Sequence, residues 1–223
     1  MTYSLIIPIY NEIRTLTKLL ESLNNLDNNI EIIIIDDGSN DGTKEILLKQ
    51  NKIKIYRNDK NLGKGLSIIK GVDLATNQSI ILMDGDLEVD INEIPKLIAR
   101  YEEQQVNVLT GIRWVKKKIP SWDINILGNF FINEIFNLLF QSNQHDVLCC
   151  VKILDKKLFT SLNIQSKKFN IEVELMAKLL LSNSTVDQVK VQYNRRSQKQ
   201  GKKLRFYDSW NIISTMVSIW LKK

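Results

Sequence analysis

The chain has 223 residues, 43% of them hydrophobic and 25% charged, with a net charge of +6. That suits one large domain with a proper core, and the basic balance favours anionic partners such as nucleotides, phosphates or anionic lipid. One histidine and two adjacent cysteines, Cys149 and Cys150, argue against a disulfide framework, a zinc site or a histidine-based triad.

The opening MTYSLIIPIYNE carries no basic leader, and its apolar stretch is too short for a signal peptide. No run reaches the roughly 18 apolar residues of a spanning helix. A cytoplasmic protein is therefore expected. Residues 3–10 are apolar and β-branched and predict a buried strand. Residues 12–26 place Ile13, Leu16, Leu19, Leu20 and Leu23 at helical spacing. Residues 30–37, IEIIIIDD, read as a second strand covered on both faces. A helix follows GSNDG, then a strand at 52–56, a helix at 64–75 and a strand at 78–84. This alternation predicts a mostly parallel α/β sheet. Ligands bind such sheets beyond the carboxyl ends of the strands. Pro8 to Glu12, Asp36 to Ser39 and Asp84 to Glu88 all lie at such ends and should converge.

The second half is more helical. DINEIPKLIARYEEQQ predicts an amphipathic helix and VNVLTGIR a strand. Residues 124–140 read as a very apolar helix, FNIEVELMAKLLL as another and VDQVKVQYNRR as a strand. Residues 195–205 hold six basic residues and no acidic one, and the chain closes on an amphipathic helix.

Asp84 and Asp86 flank Gly85 where a buried strand stops, with Glu88 next along. Two such carboxylates can hold one hard divalent cation, and Gly85 is expected to leave room for a ligand. The plain alternative is a solvated acidic loop. Asp36 and Asp37 end another strand, where Asp37 is placed to accept from a nucleobase or ribose. NLGKG, residues 61–65, lacks the third glycine of a dinucleotide fingerprint and is not a P-loop. Lys64 could still meet a diphosphate as a point charge.

SLIIPIYNE, EIIIIDDGSNDGT, NLGKG and SIILMDGDLEVDINEIPKLI, in this order and spacing, resemble glycosyltransferase family 2, the inverting enzymes of GT-A fold. Within it they are similar to the dolichol-phosphate mannose synthase branch, which uses polyprenyl-phosphate acceptors. GIR, LGN, HDVLCCVK, FNIEVELMAKLL and YNRRSQKQGKKLRFYDS extend the resemblance over nearly the whole chain.

The resemblance implies that Pro8, Tyr10, Glu12 and Asp37 hold the nucleoside, with Lys64 near the donor pocket. Asp84, Asp86 and Glu88 would gather around Mg²⁺ or Mn²⁺ and the diphosphate. Arg113 and Asn129 would face the acceptor phosphate. Asp146 matches an aspartate near the reacting centre, and Glu172 matches a recurring glutamate. Cys150 and Lys152 alone carry a TCYK-like run. Gly85 stands where alanine is usual and Glu88 where glutamine is frequent. Implied domains are a GT-A unit over 1–207, with a nucleotide-sugar half at 1–110 and an acceptor half at 111–207, and an amphipathic helix over 208–223.

In such a reaction a lipid phosphate is already largely ionised and needs cations more than a base. Arg113 and the Arg195/Arg196 and Lys202/Lys203 cluster offer that charge, with Arg195 and Lys202 as its site candidates. A hydroxyl acceptor would instead need Asp146 as general base, beside Asp86 as the catalytic metal ligand. The apolar faces at 126–140 and 210–221 fit peripheral contact with the inner face of the cell membrane; core packing or a homo-oligomer seam fits them equally. A non-catalytic nucleotide-sugar binder is a further alternative. Nucleic acid is not an expected partner, because the acidic strand ends would repel its phosphates.

Overall fold

A computed structural model describes residues 1–114, 124–196 and 206–223. Among the described residues, seven strands form one sheet in the order β3-β2-β1-β4-β6-β5-β7. These are β1 (Tyr3–Ile9), β2 (Ile30–Asp36), β3 (Lys54–Arg57), β4 (Ser79–Leu82), β5 (Val108–Ile112), β6 (Lys152–Asp155) and β7 (Val186–Lys190). Only β6 runs against the others, antiparallel to both β4 and β5. The expected mostly parallel α/β sheet is what forms. Helices α1 (Ile13–Asn24), α2 (Thr43–Leu47), α3 (Lys64–Leu74) and α4 (Ile94–Gln104) follow the first strands. Helices α5 (Ile124–Phe140), α6 (Lys156–Ser161), α7 (Ile171–Leu181) and α8 (Phe206–Trp220) belong to the second half.

The isoleucine run of β2 is explained by alternation across a sheet covered on both faces. Ile33 and Ile35 join Ile6, Ile80, Val72 and Phe136 on one side. Ile34 joins Leu5, Ile7, Leu16 and Ile81 on the other. Helices α5, α7 and α8 pack together on the first side. Ile132, Phe136 and Phe140 sit four residues apart on α5, and Ile212 and Met216 do so on α8, so each helix buries one stripe. The core packing expected as an alternative is therefore present. Yet a second apolar side of α8 faces outward, with Trp210 72% and Leu221 71% exposed beside Val217 and Trp220. Phe131 and Leu138 of α5 are exposed as well. Among the described residues, no helix is long and apolar enough to cross a membrane.

The topology brings the two halves of the chain to one place. The carboxyl ends of β2, β1 and β4 lie side by side. Because β6 is reversed, its first residue, Lys152, pairs with Leu82 at the end of β4. Thr110 of β5 pairs with the same Lys152, which sets Arg113 at this end too.

Candidate active site

The doubled aspartate after β2 divides its work. Asp36 turns away, accepting from Arg57 Nε at 3.0 Å and from the Ser39 amide at 2.9 Å. Asp37 points to the NLGKG loop. Its Oδ1 takes Asn58 Nδ2 at 2.8 Å and the Leu62 amide at 2.9 Å, and its Oδ2 takes the Gly63 amide at 2.8 Å. The rest of GSNDGT stitches loops together. Ser39 Oγ accepts from the Asn11 amide, Thr43 Oγ1 from the Glu12 amide and Asp41 from the Ile13 amide. NLGKG itself packs on the backbone of 166–168, where a Cβ on Gly63 or Gly65 would collide with the Lys167 or Ser166 carbonyl. These glycines serve backbone packing.

Beyond β4, Asp84 faces a lysine across the cleft wall. Lys64 Nζ sits 2.8 Å from its Oδ1 and 2.9 Å from its Oδ2. Gly85 does not open space for a ligand as expected. A Cβ there would press on Ile7 and Ile9 at 3.0 Å and on Leu19 at 3.3 Å, so the missing methyl spares the core. Asp86 Oδ1 accepts from the Glu88 amide at 3.0 Å, and Oδ2 faces Arg196 Nη2 at 3.1 Å. Burial and then the charge of Asp84 push the Asp86 carboxyl up to about 6, against the pull of Arg196. Glu88 is turned aside, with Oε2 accepting from Tyr193 OH at 3.1 Å and Oε1 from the Arg196 amide at 3.0 Å.

The second half supplies three charged devices. Arg113 grips Asp146 through Nε at 2.7 Å and Nη2 at 2.8 Å, and its amide donates to the same carboxylate at 3.0 Å. Burial works against the Arg113 charge, but Asp146 more than compensates and holds it well above the usual range. Glu172, at the start of α7, bridges Lys64 at 2.7 Å and Lys152 at 2.6 Å. Burial alone would raise its carboxyl; Lys152 and then Lys64 hold it below the ordinary value. Arg196 clamps Glu12 through Nη1 at 2.7 Å and Nη2 at 3.1 Å.

These groups line one cleft of about 550 Å³. Pro8, Tyr10, Glu12 and Asp37 line it from the loops after β1 and β2. Lys64, Asp84, Gly85, Asp86, Glu88 and Arg113 line it too, as the sequence suggests. Four expected residues do not. Asp146 stands behind Arg113, with both oxygens held by it. Lys152 is fully buried, its ammonium held by Glu172 and the Cys149 carbonyl. Asn129 on α5 and Arg195 also lie outside the lining. Lys202 falls outside the described residues. Arg196, Lys168, Phe169, Leu148 and Ile212 join the wall instead, with Ile9, Asn61, Gly63 and Glu172 from segments already singled out. Of the first five, only Arg196 had a signal in the sequence, as part of the basic run.

Among the described residues, no group of three acidic, histidine or cysteine side chains is arranged around a common metal position. Asp84 and Asp86 remain as two crowded hard-oxygen donors on the cleft. That set fits Mg²⁺ or Mn²⁺, which commonly take one or two carboxylates plus substrate phosphates. Glu88 as a third ligand does not fit while Tyr193 and the Arg196 amide hold it.

The glycosyl transferase family 2 model matches residues 4–162. The chain belongs to that family. It is 30% identical over 165 residues to the dodecaprenyl-phosphate galacturonate synthase of Rhizobium johnstonii, covering 67% of this chain and 46% of that protein. It is 34% identical over 109 residues to the undecaprenyl-phosphate 4-deoxy-4-formamido-L-arabinose transferase of Proteus mirabilis, covering 45% of this chain and 33% of that one. The chain thus spans less than half the length of either relative. Among solved structures, the glucosyl-3-phosphoglycerate synthase of Mycobacterium tuberculosis in complex with Mn²⁺, UDP and phosphoglyceric acid superposes with a TM-score of 0.75. It covers 98% of this chain and 78% of that one at 16% identity. The family 2 chain therefore has the GT-A fold.

Proposed function

We propose that this family 2 glycosyltransferase moves a sugar, with inversion, from a UDP- or GDP-linked donor to a polyprenyl phosphate. The observation that carries this reading is a single cleft joining Asp84 and Asp86, the fixed cation Arg113 and an apolar wall of Leu148, Phe169 and Ile212. Pro8, Tyr10, Glu12 and Asp37 would frame the nucleoside. Asp84 and Asp86 would hold Mg²⁺ or Mn²⁺, which when bound supplies Lewis-acid neutralisation of charge building on the leaving diphosphate. Lys64 steadies Asp84, and Glu172 steadies Lys64. Arg113, pre-aligned by Asp146, offers an acceptor phosphate a cation that need not reorganise. A phosphate acceptor also agrees with Asp146 being engaged by Arg113 rather than open to a hydroxyl. The polyprenyl-phosphate names of the relatives support the same acceptor.

The outward side of α8, with Trp210, Val217, Trp220 and Leu221 followed by Lys222 and Lys223, suits peripheral contact with an anionic leaflet. The deciding experiment offers labelled UDP- and GDP-sugars with Mn²⁺ to short polyprenyl phosphate and to a panel of glycans. Label passing to the lipid phosphate, and stopping in EDTA, is the expected result. Transfer to hydroxyl acceptors alone would overturn the acceptor assignment. Full activity in EDTA would remove the metal.

A further inference from the structure

Six carboxylates and four cations line the described cleft, so its charge is unevenly matched. Asp37 is met by two backbone amides and Asn58, and Asp84 shares Lys64 with Glu172. Glu12, Asp86 and Glu88 all converge on one residue, Arg196. Its side chain is only 12% exposed, and its Nε is buried with no hydrogen-bond partner among the described residues. The contrast with Arg113 is instructive. There Nε and Nη2 both meet one carboxylate, at 2.7 and 2.8 Å. An arginine kept only as a fixed strut would be expected to use Nε as Arg113 does, because a buried donor left without an acceptor is unfavourable.

We infer that Arg196 is the resident counter-ion of Glu12 and Asp86, and that it gives up Asp86 when a divalent cation arrives with the donor's diphosphate. This rests on the reading of Asp84 and Asp86 as the cation-holding pair. A guanidinium brings one delocalised charge and is weakly hydrated, so it leaves a carboxylate at small solvation cost. A doubly charged hard cation competes better for the same oxygens. The incoming diphosphate offers the released fork a new bidentate partner, including a partner for Nε. Arg196 thus acts as a positioning residue. It bridges Glu12 and Asp86 and holds them in place before the donor binds, and it makes cation binding depend on the nucleotide.

The test measures Mn²⁺ binding to the full chain by electron paramagnetic resonance, with and without UDP. Wild type should bind Mn²⁺ weakly alone and at least tenfold more tightly with UDP. Arg196→Gln should bind Mn²⁺ at least tenfold more tightly than wild type in the absence of UDP, whereas Arg196→Lys, which keeps the charge, should stay near wild type. If wild type binds Mn²⁺ with UDP but Arg196→Gln gains nothing without it, the counter-ion role is overturned and the metal reading stands. If Mn²⁺ binds in no sample, both fall. Should Arg196→Gln fail to fold by circular dichroism, side-chain ¹⁵N spectra of the wild-type protein decide. The Arg196 Nε resonance, assigned by its absence in Arg196→Lys, should move on adding Mg²⁺ and UDP. An unmoved resonance overturns the inference.

Discussion

The carboxyl ends of β2 and β4 present the same signature, an apolar strand closing on aspartates, and put it to different uses. At β2, Asp37 meets backbone amides and Asn58, partners that cannot leave without unmaking a loop. At β4, Asp84 meets the side chain of Lys64, and Asp86, with one oxygen on the Glu88 amide, turns the other to Arg196; those two side-chain cations can be replaced by others. The identity of the residue is therefore a poor guide to its role. Whether both of its oxygens are taken by loop amides and a neutral amide, or one is left to a side-chain cation, separates a structural tie from an exchangeable site.

The sharpest challenge to this contrast is Asp86→Asn. Sugar transfer should fall by about 10²–10³-fold, the scale of losing one preorganised charge in a site, while the melting temperature holds or rises as crowding with Asp84 is relieved. A loss of fold instead would place Asp86 with the structural ties. Asp37→Ala comes next. It orphans the Leu62 and Gly63 amides and leaves Asn58 Nδ2 with Ser67 Oγ alone, so urea denaturation should show a loss of about 2–3 kcal/mol. If stability is unchanged while calorimetry shows UDP binding lost, Asp37 is a direct ligand and the comparison fails. Arg113→Lys should have a smaller effect, raising the KM for the proposed polyprenyl-phosphate acceptor about tenfold, since lysine cannot copy a fork gripping Asp146. Donor hydrolysis should stay near wild type.

Glu31, at the opposite end of β2, is the control far from the cleft. Burial opposes its ionisation, but Lys54, Ser4 and Thr76 bring its carboxyl down from 4.5 to about 2. A depressed carboxylate stabilises the fold above its unfolded value, and that contribution is lost as pH falls through the folded value. Stability should therefore decline between pH 4.5 and 2, modestly because the Lys54 side of the pair is exposed. Glu31→Gln should flatten that limb in pH-dependent urea titrations while leaving transfer at pH 7 untouched.

Much of the fold could be read from residue order. Alternation in the first half fixed strand after helix, and α5 spans the same 124–140 that its apolar run predicts. The loops that build the cleft were legible because strand ends of a parallel sheet must converge. Partnerships were not. Nothing in the sequence pairs Arg113 with Asp146, because the two lie 33 positions apart on segments whose approach local pattern does not set. Nor could sequence choose between Arg195 and Arg196. The bridge between Val89 and Tyr193 and the bond from the Asn194 amide to the Glu88 carbonyl set which arginine reaches the carboxylates. The face of Gly85 was misjudged for a similar reason, since its neighbours Ile7, Ile9 and Leu19 come from other elements.

The reversal of β6 also has a kinetic meaning. Its ladder with β4 joins residues 79–82 to residues 152–155, seventy or more positions apart. Closing so long a loop is paid in entropy before any contact rewards it, and ladders of this kind form late. Until β6 docks, the apolar edge of β4 is open to pairing with another chain. Lys152 comes level with the end of β4 only when that edge is closed. Nucleotide-binding competence should therefore return in the slowest refolding phase, and crowded refolding should lose protein to aggregation before it loses secondary structure.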